Sequence, residues 1–252
     1  MWFRNLQIYR LSEDWNSDAS RFAEKLAQSA FQPCGGFDMQ SRGWVPPRGN
    51  EGELLICANR QWLIALGLEH KLLPGSVIRQ YTQARLAELE IKQGFKPGRA
   101  QARDMREQVT AELLPRALVT RKLIYAWIDP INRWLIVDAA SPAKAEEVLE
   151  HLKATLADLP LKLFRTCSAP GTAMTGWLAN QEAPAGFTID RDCELRAAGE
   201  EKAVVRYVRH PLDGDEITRH ITNGKAATRL ALTWRDRISF TLTEQLQLKR
   251  LT

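Results

Sequence analysis

At 252 residues, with 44% hydrophobic and 26% charged residues against only 15 Gly and 12 Pro, the chain has a globular composition that excludes the disordered and fibrous classes. Its mass of 28.6 kDa allows one large domain or two smaller ones without disulfides or a structural metal, and neither an apolar run nor a leader pattern points to a membrane, so a cytoplasmic protein is expected. The net charge of +5 is concentrated, because residues 71–122 hold eleven basic side chains against five acidic ones; that suits a polyanion partner or a solvated helix surface.

In chain order, residues 5–11 alternate Leu6 and Ile8 with polar neighbours and predict a strand. Phe22, Leu26 and Ala30 predict a helix over 20–30 that stops at Phe31-Gln32-Pro33-Cys34-Gly35-Gly36. The prolines of Gly43-Trp44-Val45-Pro46-Pro47 enforce extended geometry there, and 54–58 and 62–68 read as two strands. Between 74 and 115 the period becomes helical, with Val77, Ile78, Tyr81, Ala84 and Leu89 on one arc and Ala102, Met105, Val109 and Leu113 on a second. Gly94-Phe95-Lys96-Pro97-Gly98 separates the two helices. The resulting αα-hairpin is charged over most of its surface, so it is expected to project from the body and to offer its narrow apolar stripe to a partner subunit.

Strands at 123–128 and 134–137 flank a turn at 129–133. Ser141-Pro142 is a helix entry pair, followed by a core-facing stripe of Ala145, Val148, Leu149, Leu152 and Leu156 that ends before Pro160. A strand at 161–165, a short helix at 173–179, a strand at 203–208 and a helix between Asp213 and Gly224 follow. The end is a meander: Leu230, Leu232 and Trp234, then Ile238, Phe240 and Leu242, with Arg235-Asp236 between them and 246–251 as a third strand. Thr233, Ser239, Thr241 and Thr243 are expected on its wetter face. The class is α+β, with mixed or antiparallel sheets, packed helices and the projecting hairpin. Residues 1–70 and 120–166 make a central body, 71–119 an inserted hairpin tip, and 167–252 a C-terminal α+β region.

The sequence contains no phosphate-cradling glycine loop, nucleophile elbow or His-Glu-x-x-His helix. Cys34, Cys57, Cys167 and Cys193 are too widely spaced to wrap zinc and read as reduced, mostly buried thiols. His151, four residues after Glu147, reads as half of a surface pair rather than a ligand. Glu69-His70-Lys71 and Glu90-Ile91-Lys92 have the acid-x-Lys form used by metal-dependent nucleases, but neither has an obvious second carboxylate. Two further basic stretches, 116–122 and 206–210, the latter extended by Lys225 and Arg229, suit phosphate contact without base readout; strand alternation keeps some of these charges on opposite faces. A metal-dependent nuclease using Glu69 or Glu90, and an adaptor whose basic hairpin binds acidic proteins, are the competing readings.

Several blocks resemble the bacterial recombination-associated RdgC family. They are Met1-Trp2-Phe3-Arg4-Asn5-Leu6, Phe31-x-Pro33-Cys34-Gly35, Gly43-Trp44-Val45-Pro46-Pro47, Lys71-x-Leu73-Pro74, Leu113-Leu114-Pro115-Arg116-Ala117, Trp127-Ile128-Asp129, Leu230-Ala231-Leu232-x-Trp234 and Leu248-Lys249-Arg250-Leu251, in order over nearly the whole chain. The resemblance implies a nucleoid-associated, non-enzymatic protein that binds double-stranded DNA with little sequence preference. It also implies a ring-shaped homodimer with a positively charged hole that restrains the RecA recombinase, with no cofactor. Carried onto this sequence, it makes Arg116, Arg121, Lys122, Arg209 and Lys225 the DNA contacts, with Lys71 as a weaker one; the hairpin stripe of Ala102, Met105, Val109 and Leu113 is expected, from its own spacing, to form a homodimer contact. Two departures stand out. Leu118 occupies a position that is commonly aromatic in the family, and the chain stops at Leu251-Thr252 where members usually continue into a helical stretch. If that stretch serves a dimer contact, the ring is expected to be open, looser or closed differently.

Overall fold

The computed structural model describes residues 3–13, 15, 18–49, 51–156, 159–199 and 202–252; Met1 and Trp2 of the first resemblance block lie outside them. The N-terminal half runs β1 (Asn5–Leu11), α1 (Ala19–Gln28), β2 (Gln40–Val45), β3 (Ile56–Ala58), β4 (Gln61–Leu72), α2 (Gly75–Gln93), α3 (Arg99–Leu113), β5 (Leu118–Asp129), β6 (Trp134–Asp138), α4 (Pro142–Leu156) and β7 (Leu161–Leu163). The C-terminal half runs α5 (Pro170–Asn180), β8 (Phe187–Ala197), β9 (Val204–Tyr207), α6 (Asp215–Thr222), β10 (Lys225–Trp234), β11 (Ile238–Thr243) and β12 (Leu248–Lys249). The fold is α+β. Among the described residues the strands form one sheet of order β2-β4-β5-β6-β1-β12-β11-β10-β8-β9, with β3 added to β4 and β7 to β1, and all named strand pairs are antiparallel. No helix among them is long and apolar enough to cross a membrane.

Local chemistry sets the elements of the first half. Asp18 caps α1 by accepting from the N–H groups of Ser20 and Arg21, and Phe22 and Leu26, one turn apart, are fully buried. Gly43 lets β2 lie close against the end of that helix, since a Cβ there would meet the Phe31 backbone at 2.4 Å. The α4 stripe is buried at Ala145, Val148, Leu152 and Leu156, as its spacing predicts. These residues close one core with Ile64, Leu66, Ile124, Ile128, Leu135 and Val137 of the sheet.

The helical hairpin is an insertion in a longer β-hairpin. β4 and β5 pair continuously from Trp62↔Ile128 to Leu72↔Leu118, so α2 and α3 grow from the strand ends and project beyond them. Gly94, at φ 76°, ends α2 in the left-handed conformation that glycine adopts without strain. The hairpin packs few residues of its own, with Ile78, Thr82 and Val109 buried on the helices and Leu114 at the 3₁₀ turn that follows.

A second core gathers Met174 and Leu178 of α5 and Ile217 of α6 with Cys193, Leu195, Leu230 and Leu232. Strand register decides which face this core occupies. Leu6, Leu248, Leu242, Leu230 and Cys193 are partners in successive ladders and therefore share one face, the face under α5 and α6. Leu11, in the core beneath α1 and α4, has the opposite parity to Leu6 along β1 and points the other way. The helices of the two halves thus cover opposite faces of a continuous sheet. Among the described residues the join is narrow: β1 meets β12 at Asn5↔Lys249 and Leu6↔Leu248, extended by Leu251 N–H to the Arg4 carbonyl at 3.0 Å.

Three expectations change. β8, unforeseen, is an eleven-residue central strand. β4 and β5 run four or five residues further toward the hairpin than their apolar cores indicate, because Glu69 and Arg121 satisfy each other there as ladder partners. The threonine face of the meander is drier than expected: Thr243 is 5% exposed, and its hydroxyl accepts from the Gln247 N–H.

Candidate nucleic-acid interface

On the C-terminal half, the sheet face not covered by α5 and α6 carries a cluster built around one acid. β8 places Glu194 there, and β9 and β10 set Arg206 and Arg229 opposite it as ladder partners. The bulge between Ala227 and Arg229 turns the Thr228 hydroxyl onto the same carboxylate at 2.8 Å. Glu194 is 2% exposed and also accepts from Arg206 Nε at 2.7 Å and Arg196 Nη2 at 3.2 Å, with Arg229 Nη1 at 3.8 Å. Burial alone would raise its pKa, but the Thr228 and Arg206 hydrogen bonds and the Arg229 charge outweigh that and hold it below the usual carboxylate range.

One carboxylate therefore holds three guanidinium groups whose side chains stay 64% (Arg206), 47% (Arg229) and 39% (Arg196) exposed. Lys249 of β12 adds a fourth cation; burial first, and then the like charge of Arg229, lower its pKa. Arg206, Arg229, Lys249 and Arg250 line a cleft of about 410 Å³ that reaches across the join to Asn5 and Ala140. Fixed guanidinium forks beside an ammonium are the chemistry of phosphate recognition. Such cations can engage phosphate oxygens whatever bases those phosphates join.

The residues expected to contact DNA are not brought together. Arg121 and Lys122, successive on β5, point to opposite faces: Arg121 bridges to the buried Glu69 at 2.9 Å and lies over the Phe31 ring at 4.8 Å, while Lys122 is exposed beside Leu68 in register. Arg116 is exposed on the 3₁₀ turn, and Arg209, at φ 53°, is exposed just past β9. Lys225 is half-buried with its Nζ 3.4 Å from His220 Nδ1. Lys71 requires correction. It is 8% exposed, and its ammonium donates to the Gly35 and Gly36 carbonyls at 2.7 and 2.8 Å, so the charge clips a loop instead of facing a ligand.

The hairpin stripe is likewise spent internally. Val109 is 1% exposed, and Ala102, Met105 and Leu113 are half-buried along the same face, where α3 packs on α2. The apolar residues left outside lie on α2 and the turn after it: Tyr81 (49% exposed), Ile91 (82%) and Phe95 (62%). Leu118 is 76% exposed at the hairpin base.

The nuclease candidates are placed apart. Glu69 is buried and accepts from the Cys34 N–H and from Arg121, which together hold its pKa low, whereas Glu90 stands exposed on α2. Among the described residues no group of three or more His, Cys, Asp or Glu is disposed to hold a metal. His151 is not in a surface pair with Glu147: it packs against Trp44 at 5.1 Å between ring centroids, and Glu147 pairs with Lys144. All four thiols are free, but only Cys193 is buried, its pKa pushed up to about 12 by burial and then by Asp192; Cys57 lies on an edge strand and Cys167 in a loop, so both are exposed.

The family model "RdgC: Putative exonuclease, RdgC" matches residues 1–252. Curated relatives are similar over the whole chain. Recombination-associated protein RdgC of Janthinobacterium sp. (strain Marseille) is 54% identical over 252 residues, which are 84% of that protein. The protein of the same name from Dechloromonas aromatica (strain RCB) is 54% identical over 255 residues, with 100% of this chain and 83% of that protein covered. That of Herminiimonas arsenicoxydans is 53% identical over 251 residues, again with 100% and 83% covered.

Proposed function

The chain belongs to the RdgC family, and from that premise we propose that it is a recombination-associated, nucleoid-bound protein that holds double-stranded DNA without reading its sequence. The cluster of Arg196, Arg206 and Arg229 around buried Glu194, with Lys249 and Arg250 beside it, is the observation that carries the reading. Each phosphate neutralised releases counterions whatever the bases are, so affinity is electrostatic and steeply salt-dependent. Arg116, Lys122 and Arg209, all exposed, add cations outside the cleft.

The protein acts as a homodimeric clamp that limits RecA-dependent recombination by occupying duplex. The resemblance supports the ring; the exposed stripe of Tyr81, Ala84 and Ile91 on α2, continued by Phe95, supports a hairpin contact between copies. This stripe replaces the α3 residues, which already pack inside the hairpin. Ile91→Asp is expected to shift the mass measured by light scattering toward monomer with the helix content unchanged, whereas Val109→Asp is expected to melt the hairpin. A dimer that survives Ile91→Asp removes the stripe from the interface.

The direct test is titration of two unrelated linear duplexes at low and moderate salt, with magnesium present and the DNA checked for integrity. Equal, salt-sensitive binding of intact DNA is the expected result. A strong preference for one duplex, or no binding at low salt, overturns the reading. Shortened DNA would instead favour the exonuclease named in the family description.

A further inference from the structure

A second cationic site lies on the other half of the molecule, and it is aromatic. β1 and β6 pair Arg10 with Trp134, and β1 and β7 pair Arg10 with Lys162, so these three side chains share the face that α1 and α4 leave open. Arg10 lies over the Trp134 indole, its guanidinium carbon 4.0 Å from the ring centroid, and donates a 2.9 Å hydrogen bond to the Asn132 carbonyl. Phe164 meets the same indole edge-on at 5.4 Å. The three border a cleft of about 460 Å³ to which Arg133, Lys162 and Arg165 also contribute. Among the described residues its one acid is Glu13, which Arg133 engages at 3.0 Å.

We propose that this cleft binds a DNA single strand, stacking an unpaired base on the Arg10, Trp134 and Phe164 π-surfaces while Lys162 and Arg165 take the flanking phosphates. Among the described residues, four cations against one acid, itself paired, give the complementarity to a polyanion. The rings decide which polyanion. In a duplex the base faces are hidden in the stack, so aromatic side chains contribute nothing to holding it; in an unpaired strand every base offers a π-face. No residue lining this cleft lines the one around Glu194. The site therefore goes beyond duplex binding and stands or falls separately from it.

The test uses the full chain and two fluorescein-labelled probes, a 15-nucleotide oligothymidylate and a duplex of mixed sequence, read by anisotropy. Phe164→Ala and Trp134→Ala are each expected to weaken oligothymidylate binding about tenfold and to leave duplex binding as in the parent. Trp134→Phe, which keeps a ring, is expected to restore most of the loss, and Lys162→Glu to lower single-strand affinity and its salt dependence. Phe164 lies outside the strands, so its variant reports on the site even if Trp134→Ala disturbs β6. Unchanged oligothymidylate binding by both alanine variants overturns the proposal, as does equal loss of both probes or a parent that ignores the single strand. A parent that binds oligothymidylate but not duplex sinks the clamp and leaves this site standing.

Discussion

Changing Arg229, Lys249 and Arg250 together to Gln is expected to lower duplex affinity by about a hundredfold at moderate salt and to flatten the slope of log affinity against log salt by about 3. Neutral glutamine is the informative replacement. Charge reversal would set new carboxylates beside Glu194 and damage the fold, whereas the glutamine variant leaves Glu194 its Thr228, Arg206 and Arg196 partners. Both unrelated duplexes are expected to lose affinity equally, since phosphates carry no sequence. A variant with parental affinity and salt slope places the DNA elsewhere. Glu194→Gln is a check of opposite sign: it removes the buried negative charge at the centre of the cluster, leaving Asp192 and Glu244 at its margin, and is expected to tighten binding while loosening the fold.

The largest effect on stability is expected at Glu69. Its carboxylate joins three parts of the chain: it accepts the Cys34 N–H at 2.8 Å and Arg121 Nη2 at 2.9 Å, and it stands between the loop that Lys71 clips and the base of the hairpin. Glu69→Ala strands the Cys34 N–H without a partner and leaves Arg121 without its anion, at a cost of about 3 kcal/mol. In a chain of this size that lowers Tm by about 6–12 °C. Arg121 is half exposed and regains water, so the orphaned backbone donor carries most of the loss.

Acid separates the charge from the shape. The Cys34 hydrogen bond, and then Arg121, hold the Glu69 pKa below its ordinary value of 4.5, so the unfolded chain takes up the proton first as pH falls. The stabilisation is therefore present above about 4.5 and is lost as pH drops through the lower folded value. Glu69→Gln should be less stable than the parent in urea at pH 7, and the gap should close toward pH 3. A gap that stays constant would mean that shape, not charge, holds the site.

The fold was legible where local pattern and tertiary role agree. The α4 stripe, the helix breaker at 94–98 and the Arg235-Asp236 turn, both of whose residues take positive φ, could all be read from spacing and residue type. β8 was harder because its solvent-parity positions are Thr188, Asp190, Asp192, Glu194 and Arg196, residues that mostly disfavour strands. Yet Phe187, Ile189, Cys193 and Leu195 alternate beneath them, and that period was available. Missing β8 hid the floor of the cleft. Arg206 and Arg229 stood in recognised basic stretches, but nothing local says that a buried Glu194 gathers them, or that a two-residue strand brings Lys249 alongside. Lys71 and Val109 show the opposite case: a charge suited to a ligand and an apolar group suited to a partner are met within the chain, and only long-range packing shows that the loop carbonyls and α2 engage them.

The narrow join between the halves also sets an order of assembly. Asn5 and Arg250 come within hydrogen-bonding distance across 245 positions of chain, whereas β4 with β5 and β10 with β11 are neighbours in sequence order. Closing so long a loop adds little to the thermodynamic cost, which grows only with the logarithm of length, but contacts of such separation form late. On refolding from urea, both helix-covered halves are expected to acquire their secondary structure and cores before β1 finds β12. The cleft that spans the join does not exist until then, so duplex binding is expected to return in a slower phase than the circular dichroism signal.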